Sequence, residues 1–133
     1  MTYMLDTNIC IYAIKNKPVA VLEHIKRHKP DELCISSITY AELCCGVEKS
    51  SAVEQNKIAL MLLLANIEIL EFDAYASESY GKVRSLLEKN GTPIGSLDML
   101  IASHAKATGC VLVTNNVKEF QSVDGLSIEN WAD

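Results

Sequence analysis

The stretch Tyr3-Met4-Leu5-Asp6-Thr7-Asn8 decides how this chain is read. Apolar side chains run directly into a carboxylate, a hydroxyl and an amide, and a helical pattern (Ile9, Cys10, Ile11, Tyr12, Ile14) begins behind them. That order predicts a buried strand ending on Asp6, then a helix capped by Asp6, Thr7 or Asn8 and finished before Pro18. In an open parallel α/β sheet, ligands bind outside the carboxyl ends of the strands, so an acid at this point faces a cleft. Any acid elsewhere in the chain that reaches the same end of the sheet would share that cleft.

Working outward, Val19 to His28 predicts a second helix, and the short apolar run Leu33-Cys34-Ile35-Ser36 a buried strand. Ser36 or Ser37 then offers a cap for a helix through Val47, and Ser50 or Ser51 opens another. The later part of that helix, Ile58 to Leu64, is apolar nearly all round, which predicts burial on every side or a covering partner. Ile67 to Phe72 is a further strand. Asp73 caps a long helix to Lys89, which Asn90-Gly91 stops. After the loop Thr92-Pro93-Ile94-Gly95, a helix runs from Ser96 to Thr108 and closes on Gly109. Cys110 to Thr114 follows as a buried strand, then a helical turn near Glu119-Phe120 and a last strand around Leu126 to Ile128. Short apolar strands alternating with helices predict a three-layer α/β/α sandwich on a central, mostly parallel sheet. Residues 1–133 are expected to form a single domain, with no repeat or linker.

Composition narrows the function classes. No apolar run approaches the roughly twenty residues of a membrane span, and no basic segment with an apolar stretch precedes the first strand, so a soluble cytoplasmic protein is expected. Five cysteines at irregular spacing, with no Cys-x-x-Cys pair, predict reduced packing residues. A net charge of -5 argues against a protein that holds nucleic acid through a general basic field. It leaves room for a nuclease, because bound cations reverse the local sign of clustered carboxylates.

Two further acids are oddly placed. Glu42 lies on the helical stripe Ile38, Ala41, Glu42, Cys45, and Asp98 on the stripe Asp98, Ile101, Ala102, Ala105. Each has a plainer reading: Asp6 as a helix cap, Glu42 as the far end of a Thr39-x-x-Glu42 capping box, Asp98 as an acid favouring a helix dipole. All three nevertheless fall where a parallel sheet gathers its ligands. Converging carboxylates without a His or Cys set suit a hard cation, Mg²⁺ or Mn²⁺, and the chemistry such a site serves is phosphodiester hydrolysis. Thr114 and Asn116, after the last core strand, are candidate hydrogen-bonding members, and Glu119 a fourth acid. His24 and His28, four apart on one helix, read as part of an exposed basic helix, and His104 as structural.

The segments Met4-Leu5-Asp6-Thr7-Asn8, Ser36 to Leu43, Pro93 to Asp98 with Ile101-Ala102 and His104-Ala105, and Val113-Thr114-Asn115-Asn116 with Glu119-Phe120 together resemble the PIN-domain ribonucleases. Within these the chain is similar to the VapC toxins of type II toxin-antitoxin pairs, and the ending Leu126 to Trp131 to their enterobacterial branch. The resemblance implies a Mg²⁺-dependent endoribonuclease with an acidic core of Asp6, Glu42 and Asp98, in which Asp6 and Asp98 are the direct metal ligands. Asn8, Thr114, Asn116 and Glu119 take supporting roles. It also implies a homodimer, neutralisation by a VapB-like antitoxin whose C-terminal segment lies in the cleft, and the anticodon stem-loop of initiator tRNA as substrate. Many PIN domains carry a further Asp where this chain has Asn116, which implies one tightly held ion unless Glu119 substitutes. A haloacid-dehalogenase-type phosphatase would need an Asp where Asn8 stands, and a receiver domain would need its acceptor Asp at the end of a middle strand. A PIN domain that binds RNA or antitoxin without cutting is the remaining alternative.

Overall fold

The computed structural model describes residues 1–133. Five strands, β1 (Tyr3–Leu5), β2 (Leu33–Ser36), β3 (Glu68–Leu70), β4 (Val111–Val113) and β5 (Ile128–Glu129), form one sheet in the order β3-β2-β1-β4-β5. All four pairings are parallel, with Met4 opposite Cys34 on one side and Leu112 on the other. The intervening segments hold helices α1 (Thr7–Lys15), α2 (Val19–Lys26), α3 (Ser37–Lys49), α4 (Val53–Leu64), α5 (Ala74–Lys89), α6 (Ser96–Thr108) and α7 (Val117–Phe120), as parallel crossovers require.

The two-residue period of a strand sends alternate side chains to opposite faces. Met4, Cys34 and Leu112 join Val83, Leu87, Ile101 and Ala105 in one core layer beneath α5 and α6. Leu5, Leu33, Ile35 and Val113 join Ile9, Val21, Leu43 and Leu60 in the other, beneath α1 to α4. The chain steps outward from β1 through β2 to β3, then crosses to β4 and β5 on the far side of β1. Strand order therefore reverses between β1 and β4, and the crevice at that reversal opens beyond Leu5 and Val113.

Local signals account for most boundaries. Ser36 caps α3 through Ile38 N–H, and Asp73 caps α5 through Ala76 N–H. Gly91 and Gly109 take φ of 70° and 71° after α5 and α6, left-handed values that favour glycine. Several elements depart from the sequence pattern. The Ser50 hydroxyl donates to Val47 O and closes α3, so α4 starts later, at Val53, without a serine cap. The third strand shrinks to Glu68–Leu70, and the last lies at Ile128–Glu129. The buried stripe of α3 is Thr39 and Leu43; Ala41 and Cys45 are exposed, and Glu42 sits half-buried at the edge of the stripe. The apolar helix α4 buries Leu60 but leaves Ile58, Met61 and Leu62 open, at 58%, 71% and 72% exposure. His24 and His28 do not belong to an exposed basic face, because both rings stack on Trp131 at 5.1 and 4.7 Å between centroids. All five cysteines are free. Cys10, Cys34 and Cys110 are buried packing residues as expected, whereas Cys45 is exposed. No helix is long and apolar enough to cross a membrane.

Candidate functional site

Asp6 leaves β1 at the strand-order reversal and is 5% exposed. Its Oδ1 accepts the Ile9 N–H at 2.9 Å, so it does cap α1. The Thr114 hydroxyl, from the end of the neighbouring strand β4, and the Asn8 backbone N–H also bond to it. Burial pushes the Asp6 carboxyl up from 3.8 to about 6, and the Glu42 charge adds to the rise, while the three hydrogen bonds restrain it.

Glu42 reaches the same region from α3. Its Oε1 accepts the Thr7 hydroxyl at 2.6 Å, which ties the first turn of α1 to α3. This overturns the capping-box reading: Ser36 is the cap, and the fully buried Thr39 hydroxyl has no partner. Glu42 also borders a groove of about 330 Å³ shared with Ile11, Ile14, Lys15, Leu43 and Leu60.

Asp98 stands in the first turn of α6, above Ile101, Ala102 and Ala105, which are buried as their spacing predicts. Burial raises its carboxyl to about 6, with further contributions from the charge of Glu119 and a hydrogen bond to it, then from Asp6 and Glu42. Glu119 on α7 accepts the Gly95 N–H at 3.1 Å through Oε1 and the Asn116 side-chain amide through Oε2. The Asn116 backbone N–H donates to the Thr114 hydroxyl oxygen at 3.0 Å. A Cβ on Gly95 would lie 3.5 Å from Asp98 Oδ2 and 3.9 Å from Glu119 Oε1, so the missing side chain leaves room beside both acids.

The structure thus brings Asp6, Glu42 and Glu119 into electrostatic range of Asp98 around one crevice, with Thr114 bonded to Asp6 and Asn116 to Glu119. Asn8 takes part through its backbone alone; its side chain is exposed, and Thr7 supplies the side-chain contact instead. The acids do not close into a cage: no three His, Cys, Asp or Glu side chains gather at ligating distance, because Glu42 is drawn to Thr7 and Glu119 to Gly95 and Asn116. An oxygen-only donor set with few direct ligands fits a hard divalent ion that keeps most of its waters. Gly95 and the Thr7–Glu42 bond are absent from the candidate set drawn from the sequence. Gly95 ends a loop like any other N-cap glycine, and Thr7 lies 35 residues from the carboxylate it holds.

An all-parallel sheet in this strand order, with acids from the end of β1, the middle of α3, the first turn of α6 and α7 meeting at its reversal, defines a small α/β domain of the acidic-site class. The model of the PIN domain matches residues 3–126. Over 132 residues and 99% of both chains, the sequence is 42% identical to the tRNA(fMet)-specific endonuclease VapC of Shigella flexneri. It is 47% identical to ribonuclease VapC2 of Rickettsia felis over 132 residues, 98% of each chain. Among solved structures, VapBC2 from Rickettsia felis bound to a promoter DNA fragment superposes with a TM-score of 0.93 at 45% identity, covering 98% of this chain and 99% of the other. VapBC-1 from nontypeable Haemophilus influenzae superposes with a TM-score of 0.90 at 42% identity over both full chains. The chain belongs to the PIN-domain family, in its VapC branch. PIN-domain nucleases work with divalent metal ions.

Proposed function

We propose that residues 1–133 act as one PIN unit, the toxin of a type II toxin-antitoxin pair, and that this unit is a Mg²⁺-dependent endoribonuclease working in the cytoplasm. The observation that carries the reading is the meeting of Asp6, Glu42 and Asp98 at the strand-order reversal, in a chain 42% identical to a tRNA(fMet)-specific endonuclease. The name of that relative supports tRNA(fMet), the initiator tRNA, as the substrate, and the anticodon stem-loop is the part of it we propose is cut. Mg²⁺, or Mn²⁺ in its place, would be held by Asp6 and Asp98.

When bound, the cation supplies Lewis-acid stabilisation of phosphate charge and eases deprotonation of water. Thr114, Ile9 N–H and Asn8 N–H hold the Asp6 carboxylate in one orientation, leaving Oδ2 free of the capping bond. Thr7 holds Glu42 by Oε1, and Oε2 is the atom that takes the proton of the attacking water. Glu119, tied to Asn116 and Gly95, supports Asp98 and fixes the start of α6. A VapB-like antitoxin lays its C-terminal segment in the groove beside Glu42, and the active chain is a homodimer; the open face of α4 supports the presence of a covering partner.

The test is cleavage of purified initiator tRNA by the purified chain. Cutting within the anticodon stem-loop that needs Mg²⁺, stops with chelator and disappears in Asp6→Asn is expected. Binding of the tRNA without cleavage would leave a non-catalytic PIN domain, and cleavage undiminished in Asp6→Asn would remove the assigned site.

A further inference from the structure

His104 is 1% exposed, lies outside the acidic crevice and has no part in the chemistry above. Its Nδ1 is 2.8 Å from the Ser36 hydroxyl oxygen, which is itself fully buried. The ring also bonds to the Glu71 backbone carbonyl and packs edge-on against Phe72 at 5.3 Å. Burial lowers the affinity of the imidazole for a proton. A neutral ring has one accepting and one donating nitrogen, which suits a serine hydroxyl on one side and a carbonyl on the other.

The placement of this contact is unusual. Ser36 is the N-cap of α3, whose sixth residue beyond the cap is Glu42. His104 belongs to α6, and Asp98 is the sixth residue before it on that helix. Each acid therefore sits about 9 Å along a rigid helix from the same hydrogen bond, at 1.5 Å rise per residue. The two helices lie in different layers of the sandwich, with Leu43 of α3 in one core cluster and Ile101 and Ala105 of α6 in the other. Among the side-chain hydrogen bonds, His104 to Ser36 is the one that joins α6 to the cap of α3. A tilt of either helix at this joint moves one acid relative to the other.

Resting on the acidic-centre reading above, we propose that His104 is a positioning residue, which sets the separation of Glu42 and Asp98 by fastening α6 to the N-cap of α3 through Ser36. Its role is to keep a divalent cation well held between elements that otherwise belong to different layers.

Two substitutions divide the ring's contacts. His104→Asn keeps an acceptor near the Nδ1 position and so keeps the tie to Ser36. His104→Gln reaches the far side of the ring and keeps only the bond toward Glu71. Mn²⁺ binding to the purified full chain, read by the electron paramagnetic resonance of free Mn²⁺, is measured beside urea unfolding. His104→Gln is expected to weaken Mn²⁺ binding about tenfold and to raise the Mg²⁺ concentration for half-maximal tRNA cleavage alike, as loss of an outer positioning partner does. His104→Asn stays near wild type in both readouts. Ser36→Ala, which removes the same bond from the other side together with the cap on Ile38 N–H, loses at least as much, and adding His104→Gln to it deepens the loss no further than Ser36→Ala alone. Equal Mn²⁺ affinity in wild type and in the soluble, folded variants overturns the positioning role. So does a loss that is alike in His104→Asn and His104→Gln and follows their stability. If wild type fails to bind Mn²⁺, or Asp6→Asn binds it as well as wild type, the acidic-centre reading falls and this inference with it. Wild-type binding that is lost in Asp6→Asn but unmoved by any His104 or Ser36 change removes the positioning role alone.

Discussion

Asp6 has two tasks that pull its energetics in opposite directions. Capping α1 uses Oδ1, and any carboxamide could do that; facing Glu42 with most of its surface buried needs a charge that the surroundings disfavour. Because the folded-state value is raised from 3.8 to about 6, the folded chain binds more protons than the unfolded chain between those pH values. The metal-free protein therefore loses stability as pH rises through that window, by at most about 3 kcal/mol from Asp6, since one pKa unit corresponds to 1.36 kcal/mol. Asp6→Asn keeps an acceptor for Ile9 N–H and removes the charge. It is expected to abolish RNA cleavage yet raise the urea midpoint of the metal-free chain at pH 7, with the gain shrinking toward pH 4. A lower midpoint at pH 7 would show that the charge is stabilising after all. The same values bear on catalysis. Protons compete with the cation at Asp6 and Asp98, both near 6, so the Mg²⁺ needed for half-maximal cleavage should rise steeply as pH falls below 6 and level off above it. A cleavage assay across pH 5 to 8 at several Mg²⁺ concentrations separates this from a simple loss of kcat.

Elements were legible in the sequence where a local signal marks them, and misread where the deciding contact is distant. Asp6, Ser36 and Asp73 act as the caps their types suggest, and Gly91 and Gly109 follow α5 and α6 in left-handed conformations. Ser50 looks equally like a cap, but its hydroxyl turns back to Val47 O. The inward face of α3 was misplaced by one position because Ala41 and Cys45 are apolar yet exposed, while the polar Thr39 is buried. The acids themselves were legible; the hand that holds Glu42 was not, since the Thr7 hydroxyl arrives from another helix. That contact can be tested by substitution. Thr7→Val keeps shape and backbone, frees Glu42 Oε1, and is expected to lower cleavage by about 10- to 100-fold, the usual cost of an outer positioning partner. Circular dichroism should be unchanged and Thr7→Ser should recover most activity. Failure of serine to rescue would mean that the threonine methyl, and not the hydroxyl, matters. The outer face of α4 is testable in the same way. Met61→Glu with Leu62→Glu changes two side chains that are mostly in solvent, so stability should move by no more than about 0.5 kcal/mol per change. If a partner covers this face, light scattering will show a smaller assembly, alone or with antitoxin, while the single chain stays folded. An unchanged assembly would place the partner elsewhere.

At the scale of the whole molecule, the sheet would fray at β5 without the segment that follows it. β5 has only two residues, yet Trp131, two positions beyond it, is 1% exposed and belongs to the core layer under α1 to α4. His24 and His28 stack on its ring, Tyr3 lies tilted at 5.3 Å, and its indole N–H donates to Glu129 at 2.9 Å. One side chain thus pins α2, β1 and β5 together. The same tail reaches the crevice: Thr114 N–H donates to Glu129 O at 2.9 Å, and Asn115 bridges Asn130 to the Tyr12 hydroxyl. Trp131→Ala should therefore cost about 3–5 kcal/mol, the range for emptying an aromatic core position. The urea midpoint falls with little change in slope if the remaining fold is intact. Because Thr114 is one of the groups that orient Asp6, the variant should also need more Mg²⁺ for half-maximal cleavage, and excess Mg²⁺ should restore activity, which it cannot do for Asp6→Asn. Trp131→Phe keeps the stacking surface and loses the bond to Glu129, so it should recover most of the stability. If Trp131→Ala lowers stability and leaves the Mg²⁺ dependence untouched, the tail closes the sheet without reaching the site, and Thr114 is held by β4 alone.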